Sequence, residues 1–202
     1  MSSTSHLGNP AAPPVHDGTV DWEQAAAVGV PAIVAIVGFV AAYVRSLRIA
    51  TRKDRLDRVN RQLSELYGPL LALVSGSTRS WEAFRSRHRP GVPAYWDQGD
   101  PPSAEEAAAW RLWMSEVFMP LNSRMEELVV AKADLLESDD VPACLLDLVA
   151  HVASYRAVIA QWHLGDVSEH KAPLNFPGDE VHAYAEACFT RLKSLQHDLL
   201  TT

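Results

Sequence analysis

Cysteine is almost missing from this chain. Only Cys144 and Cys188 occur in 202 residues, which excludes a disulfide scaffold and any zinc site built from paired cysteines. Glycine-rich phosphate loops are absent, since neither G-x-x-x-x-G-K nor G-x-G-x-x-G can be found. H-E-x-x-H and G-x-S-x-G are absent too, so the common signatures of nucleotide, metalloprotease and serine-hydrolase chemistry are all lacking. No stretch alternates apolar and polar residues with period two, which argues against a sheet. Lys and Arg are wholly absent from the first 44 residues. What the chain does have is apolar substance: 48% of residues are hydrophobic and 21% charged, a composition able to bury a core.

The net charge of −7 conceals three blocks. Residues 1–44 carry −3, residues 45–61 carry +5, and residues 62–202 carry −9. The first block ends in a run from Ala25 to Val44 without a charged side chain. As a helix its length is about 30 Å, the thickness of a bilayer hydrocarbon core. Its Val, Ile and Phe residues contribute about −3 to −5 kcal/mol toward insertion. A buried helix of a soluble domain is the competing reading, but such a helix keeps a polar face and this run has none. A cleaved signal peptide would need a basic leader, and residues 1–24 contain no Lys or Arg.

The flanks set an expected orientation. Arg45, Arg48, Arg52, Lys53 and Arg55 follow the run directly, and nothing basic precedes it. The positive-inside rule then puts the amino terminus outside the cell (inner or plasma) membrane and the rest in the cytoplasm. Trp22 and Tyr43 stand at the two ends, where amphipathic rings settle among headgroups. The basic residues are expected to meet anionic lipid, each contributing about 1 kcal/mol near the surface. Nucleic acid is not an expected partner, because the acidic remainder would repel a phosphate backbone. Small-residue patches at Ala25, Gly29 and Ala32 and at Gly38 and Ala42 would allow close helix approach, so self-association is an open alternative.

Along the chain the expected organisation is a disordered external tail at 1–22, a transmembrane helix at 23–45, and an all-α cytoplasmic bundle of about four helices at 46–202. The first bundle helix, 46–87, carries Leu56, Val59, Leu63, Leu66, Leu70 and Leu73 at coiled-coil spacing, weakening at Ser77 and Ser80. Pro69 should kink it. Residues 88–102, rich in Pro and Gly, read as a loop. A capping box, Ser103 with Glu106, opens a kinked helix at 103–137 that meets Pro120. Further helices are expected at 140–164, stopped by Gly165, and at 178–200. No internal repeat stands out.

Chemistry is sparse. Carboxylate-bridged metal bundles use Glu-x-x-His on facing helices. The nearest approach is Asp147 with His151 one turn on and Asp179 with His182, shorter acids beside ordinary histidines. No metal, cofactor or catalytic residue is therefore assigned. Tyr95 and Trp96, set between prolines and glycines, are the candidate anchor for an unknown protein partner. The tryptophans otherwise read as core, or as the roof of a small-molecule pocket inside the bundle.

The run R-Q-L-S-E-L-Y-G-P-L-L at 61–71, just after the basic stretch, resembles single-pass bacterial membrane proteins of uncharacterised function. V-F-M-P-L-N at 117–122 and K-A-D-L-L at 132–136 add to the likeness. The resemblance implies a membrane span and a helical cytoplasmic part, and brings no activity and no site residue with it. On these grounds the chain is expected to be a membrane-anchored interaction, scaffold or regulatory module. A tethered metal enzyme or small-molecule sensor is the alternative.

Overall fold

A computed structural model describes residues 22–92, 94–96 and 99–201, with side chains from residue 35 onward. The expected tail, and the side chain of Trp22, lie outside the described residues. Every described element is helical: α1 (Trp22–Gln62), α2 (Gly68–His88), α3 (Ala104–Trp113), α4 (Met119–Ala131), α5 (Ala143–His163) and α6 (Gly178–Thr201). The chain divides into two units, residues 1–50 and residues 51–202.

In the first unit, the described apolar side chains of helix α1, from residue 35 onward, are exposed. Ile36, Val37, Phe39, Val40 and Tyr43 are all more than half exposed, and Arg45 and Arg48 are exposed too.

In the second unit, α2 packs against α4 and α6, and α5 closes the ring by packing against the same two helices. The leucine seam turns inward as its spacing requires: Val59, Leu63, Leu66 and Leu70 are buried, and Val74 and Phe84 extend the stripe. The basic end of the seam is tied down as well. Arg52 donates from Nε to the Leu199 carbonyl at 2.8 Å, and Gln196 donates to Asn60 at 2.6 Å, pinning the last turns of α1 to the end of α6. Arg52 thus acts as a clamp on the bundle.

The two prolines are accommodated in the same way. Residues 63–70 (LSELYGPL) and 114–121 (MSEVFMPL) share Ser, Glu, Pro and Leu in register, a short internal repeat that the sequence expectation of none did not include. Each repeat folds as a π-turn, Leu63–Tyr67 and Met114–Phe118. Gly68 N–H donates to the Leu63 carbonyl and Met119 N–H to the Met114 carbonyl, five residues back in both cases. Proline in the middle of a helix lacks a donor and collides with the carbonyl four residues before it. Inserting one residue into the turn opens the space and lets the helix continue. The chain therefore runs on through Pro69 and Pro120 by widening.

Helix ends follow local chemistry. Both bonds of the capping box are made: Ser103 N–H donates to Glu106 Oε2 at 2.7 Å and Glu106 N–H to Ser103 Oγ at 3.2 Å. Helix α5 stops at Gly165, whose φ of +87° suits only glycine without strain. There Gly165 N–H reaches the Trp162 carbonyl at 3.0 Å and Asp166 N–H the Gln161 carbonyl at 3.1 Å, a Schellman closure.

Among the described residues, α5 is the helix long and apolar enough to cross a membrane, with a mean hydropathy of 1.5 over its best window. Its position explains that figure. Leu145, Leu148, Val152, Tyr155 and Val158 fill the bundle core, while the outer face is alanine-rich (Ala153, Ala157, Ala160) between Leu146 and Leu164. Asp147 and Arg156 stand on that outer face. It is a core helix.

Candidate functional site: an aromatic cavity with unpartnered polar atoms

A cavity of about 480 Å³ opens inside the bundle, within the usual size of a small-molecule site. Helix α2 supplies Ser77, Thr78 and Trp81 to it, and the second π-turn with its flanks supplies Trp110, Met114, Phe118 and Asn122. Helix α5 contributes His151 and Tyr155, and the segment from Lys171 to Phe176 covers the top. The leucine seam weakens at Ser77, and there the cavity begins: Ser77 is buried where a larger apolar residue would have filled the space.

The roof is held by ring donors reaching main-chain acceptors. Trp110 Nε1 donates to the His170 carbonyl at 2.9 Å, and the Tyr155 hydroxyl donates to the same oxygen at 2.6 Å. Trp162 Nε1 donates to the Glu169 carbonyl at 2.7 Å. The His170 ring lies flat on Trp96, with centroids 4.4 Å apart and planes 13° from parallel. These bonds fix a segment containing Pro173 and Pro177 that has no regular structure of its own.

Four buried side-chain polar atoms among the described residues lack a hydrogen-bond partner: Trp96 Nε1, Asn122 Oδ1, His151 Nε2 and His170 Nδ1. Three of them belong to residues lining this cavity, and the fourth to the ring stacked on one of the three. Buried polar atoms are normally paired, because each one left alone costs about 1–3 kcal/mol. Their concentration in one place marks the site.

His151 can be assigned a proton state. Its Nδ1 sits 2.7 Å from the Leu174 carbonyl, which can only accept, so Nδ1 carries the hydrogen. Burial holds the imidazole below its ordinary value of 6.5, against a smaller opposing effect from the Leu174 bond. Neutral His151 then presents a bare lone pair at Nε2. His170 is lowered too, by burial first and then by Arg111. Both effects have one sign: the unfolded chain takes up protons that the folded chain refuses. Stability is therefore present above about pH 6.5 and is lost as the pH falls below it toward the depressed native values.

The other sequence candidates fall elsewhere. Asp147 is exposed on the outer face of α5, and His182 lies beside Glu186 at 3.9 Å. His151 and Asp179 both border the cavity, yet no three of His, Cys, Asp and Glu gather as a metal site among the described residues. The thiols of Cys144 and Cys188 are pushed up by burial, which keeps them protonated and poorly nucleophilic.

Tyr95 needs correction as an exposed anchor. It is 3% exposed, its hydroxyl donates to the Glu106 carbonyl at 2.6 Å, and its ring packs on Phe84 and Trp110. The Pro/Gly loop folds inward because Arg89, itself buried, gathers it. Arg89 donates to the Tyr95 carbonyl and to the Asp100 carbonyl and carboxylate, both at 2.6 Å for Asp100. Trp96 is half-buried and turned to the cavity.

Asn122 escaped notice in the sequence, although a signal was present. It sits on the stripe Phe118, Met125, Val129, all buried, where a polar side chain has no structural reason to be. No family model, curated protein or solved structure matches this chain.

Proposed function

We propose that this chain is a membrane-anchored regulatory module whose cytoplasmic bundle recognises a small molecule in its aromatic cavity. One observation carries the reading: Asn122 Oδ1 and His151 Nε2, on residues only 3% and 4% exposed, border the cavity without a partner. Retaining such atoms in a core is a stability cost that recognition would explain. The anchor is supported by the uncharged run at 25–44, by the exposed apolar side chains of residues 35–44 and by the basic residues after them.

The test is a substitution that removes the cost. Replacing Asn122→Leu, which keeps the branched shape and whose bulkier methyl groups have the adjoining cavity to enter, raises the stability of the ligand-free protein by about 1–2 kcal/mol, since the orphaned oxygen disappears. Urea unfolding by circular dichroism measures this. A loss of stability instead would mean that Asn122 is needed by the fold and not kept for a ligand.

The anchor has its own check. The protein is expected to remain in the pellet when membranes are washed with alkaline carbonate, and a carboxy-terminal tag to resist protease in intact cells. Release by carbonate, or cleavage of the tag, would remove the anchored part of the reading.

A second reading, docking of a protein partner, is favoured by the outer face of α5. Leu146, Ala153, Ala157, Ala160 and Leu164 form an exposed strip at helical spacing, with Leu164 87% exposed.

A further inference from the structure

We propose that the cavity takes a flat, uncharged aromatic amide or N–H heterocycle, one presenting donors and an acceptor along one edge; this rests on the reading of the cavity as a ligand site. The shape comes from the walls. Trp81, Trp96 and Trp110 border the space, and their rings meet each other at steep angles: Trp81 with Trp110 at 79° and Trp96 with Trp110 at 83°. Flat faces set this way offer stacking and edge contacts to a planar guest.

The polarity comes from the unpartnered atoms. His151 Nδ1 is engaged by the Leu174 carbonyl, so Nε2 can only accept. Asn122 Oδ1 can likewise only accept. Two buried acceptors call for donors on the ligand. Trp96 Nε1 is a buried donor and calls for one acceptor. An amide edge, or a lactam edge within a ring, carries both kinds of group side by side.

The charge comes from what surrounds the opening. Asp179 and Glu180 stand exposed at the start of α6 beside Lys171, so the border is acidic by one charge. An anion would be disfavoured there and would find two lone pairs inside. A cation would have to give up its hydration to neutral acceptors, since no carboxylate is buried with them. The uncharged guest is what remains.

Benzamide and benzoate make the decisive pair, being nearly the same shape but opposite in donors and charge. Full-length protein in lipid nanodiscs would be titrated with each while the indole N–H signals are followed in ¹H–¹⁵N spectra. Benzamide is expected to bind at least about tenfold tighter than benzoate, the equivalent of one hydrogen bond kept or lost. The Trp81, Trp96 and Trp110 signals should move, and those of Trp113 and Trp162, outside the cavity, should not. Asn122→Leu, checked for an intact melting transition, should narrow the preference to less than about threefold. Equal binding of the two probes at the cavity tryptophans would overturn the ligand class and leave the cavity reading standing. No movement of those signals with either probe would overturn both.

Discussion

Truncating Phe84→Ala lowers the free energy of unfolding by about 3–5 kcal/mol, the range for removing a fully buried aromatic ring. Phe84 has no exposed surface and stands at the centre of the aromatic cluster. Its ring centroid lies 5.0 Å from Tyr95, 5.3 Å from Trp113, 5.9 Å from both Trp81 and Trp110, and 6.0 Å from Phe118. These neighbours come from α2, the Pro/Gly loop, α3 and the second π-turn, so they cannot all collapse into the space left behind. The melting temperature should fall by on the order of 10 °C for a unit of this size. Leu112→Ala is the matched control: Leu112 is 62% exposed on the same α3 and should stay within about 0.5 kcal/mol of the parent. A Phe84 variant no less stable than that control would mean the rings do not form the load on which the bundle closes.

Replacing Arg89→Met should cost about 2–4 kcal/mol, toward the lower part of the range for breaking a buried ion pair because its partner acids reach solvent. Arg89 itself is 4% exposed, whereas the Asp100 side chain is 69% exposed. The guanidinium spans the Tyr95 and Asp100 carbonyls, the Asp100 carboxylate and, at 3.6 Å, the Glu106 carboxylate. Only a planar fork with several fixed donors can serve these directions together, so Arg89→Lys should recover less than half of the loss. Limited proteolysis gives a second readout, with new cleavage expected between residues 90 and 102. An Arg89→Met chain that unfolds at the parent urea concentration and keeps this loop resistant would show that the loop is held by its aromatic rings alone.

Much of the helical framework is legible in the sequence. The leucine spacing from Val59 to Leu70, the Ser103–Glu106 box and Gly165 act within one or two helical turns, and all three operate in the structure as their local chemistry requires. The prolines were legible as disturbances and not as solutions. Proline's missing donor is a local fact, but whether a helix kinks or widens depends on what packs around it. Here Tyr67, Leu66, Met114 and Phe118 are drawn into the core on the widened turns. The repeat of S-E and P-L was in plain view and became meaningful only when both copies adopted one shape.

The site was legible in pieces. His151 stood out for its type, and the tryptophans for their number, but Asn122 did not, since one polar residue on a leucine-rich stripe is common. Tyr95 is buried against the expectation of exposure because loop composition says that a segment is irregular and not where its rings go. That was settled by Arg89, six residues before Tyr95.

By itself the sequence determined the helical class, the uncharged run with its one-sided basic border, the capped start at Ser103 and the stop at Gly165, because these depend on neighbours within a few residues, whereas the helix expected to reach residue 137 ends at Ala131 and the next begins at Ala143. The tertiary structure alone decided that a cavity exists, that it is walled by tryptophans, and that Asn122 and His151 border it unpaired. Those facts arise when side chains from α2, α4, α5 and the roof segment meet across tens of residues, and no periodicity along the chain records what a side chain meets on the other side.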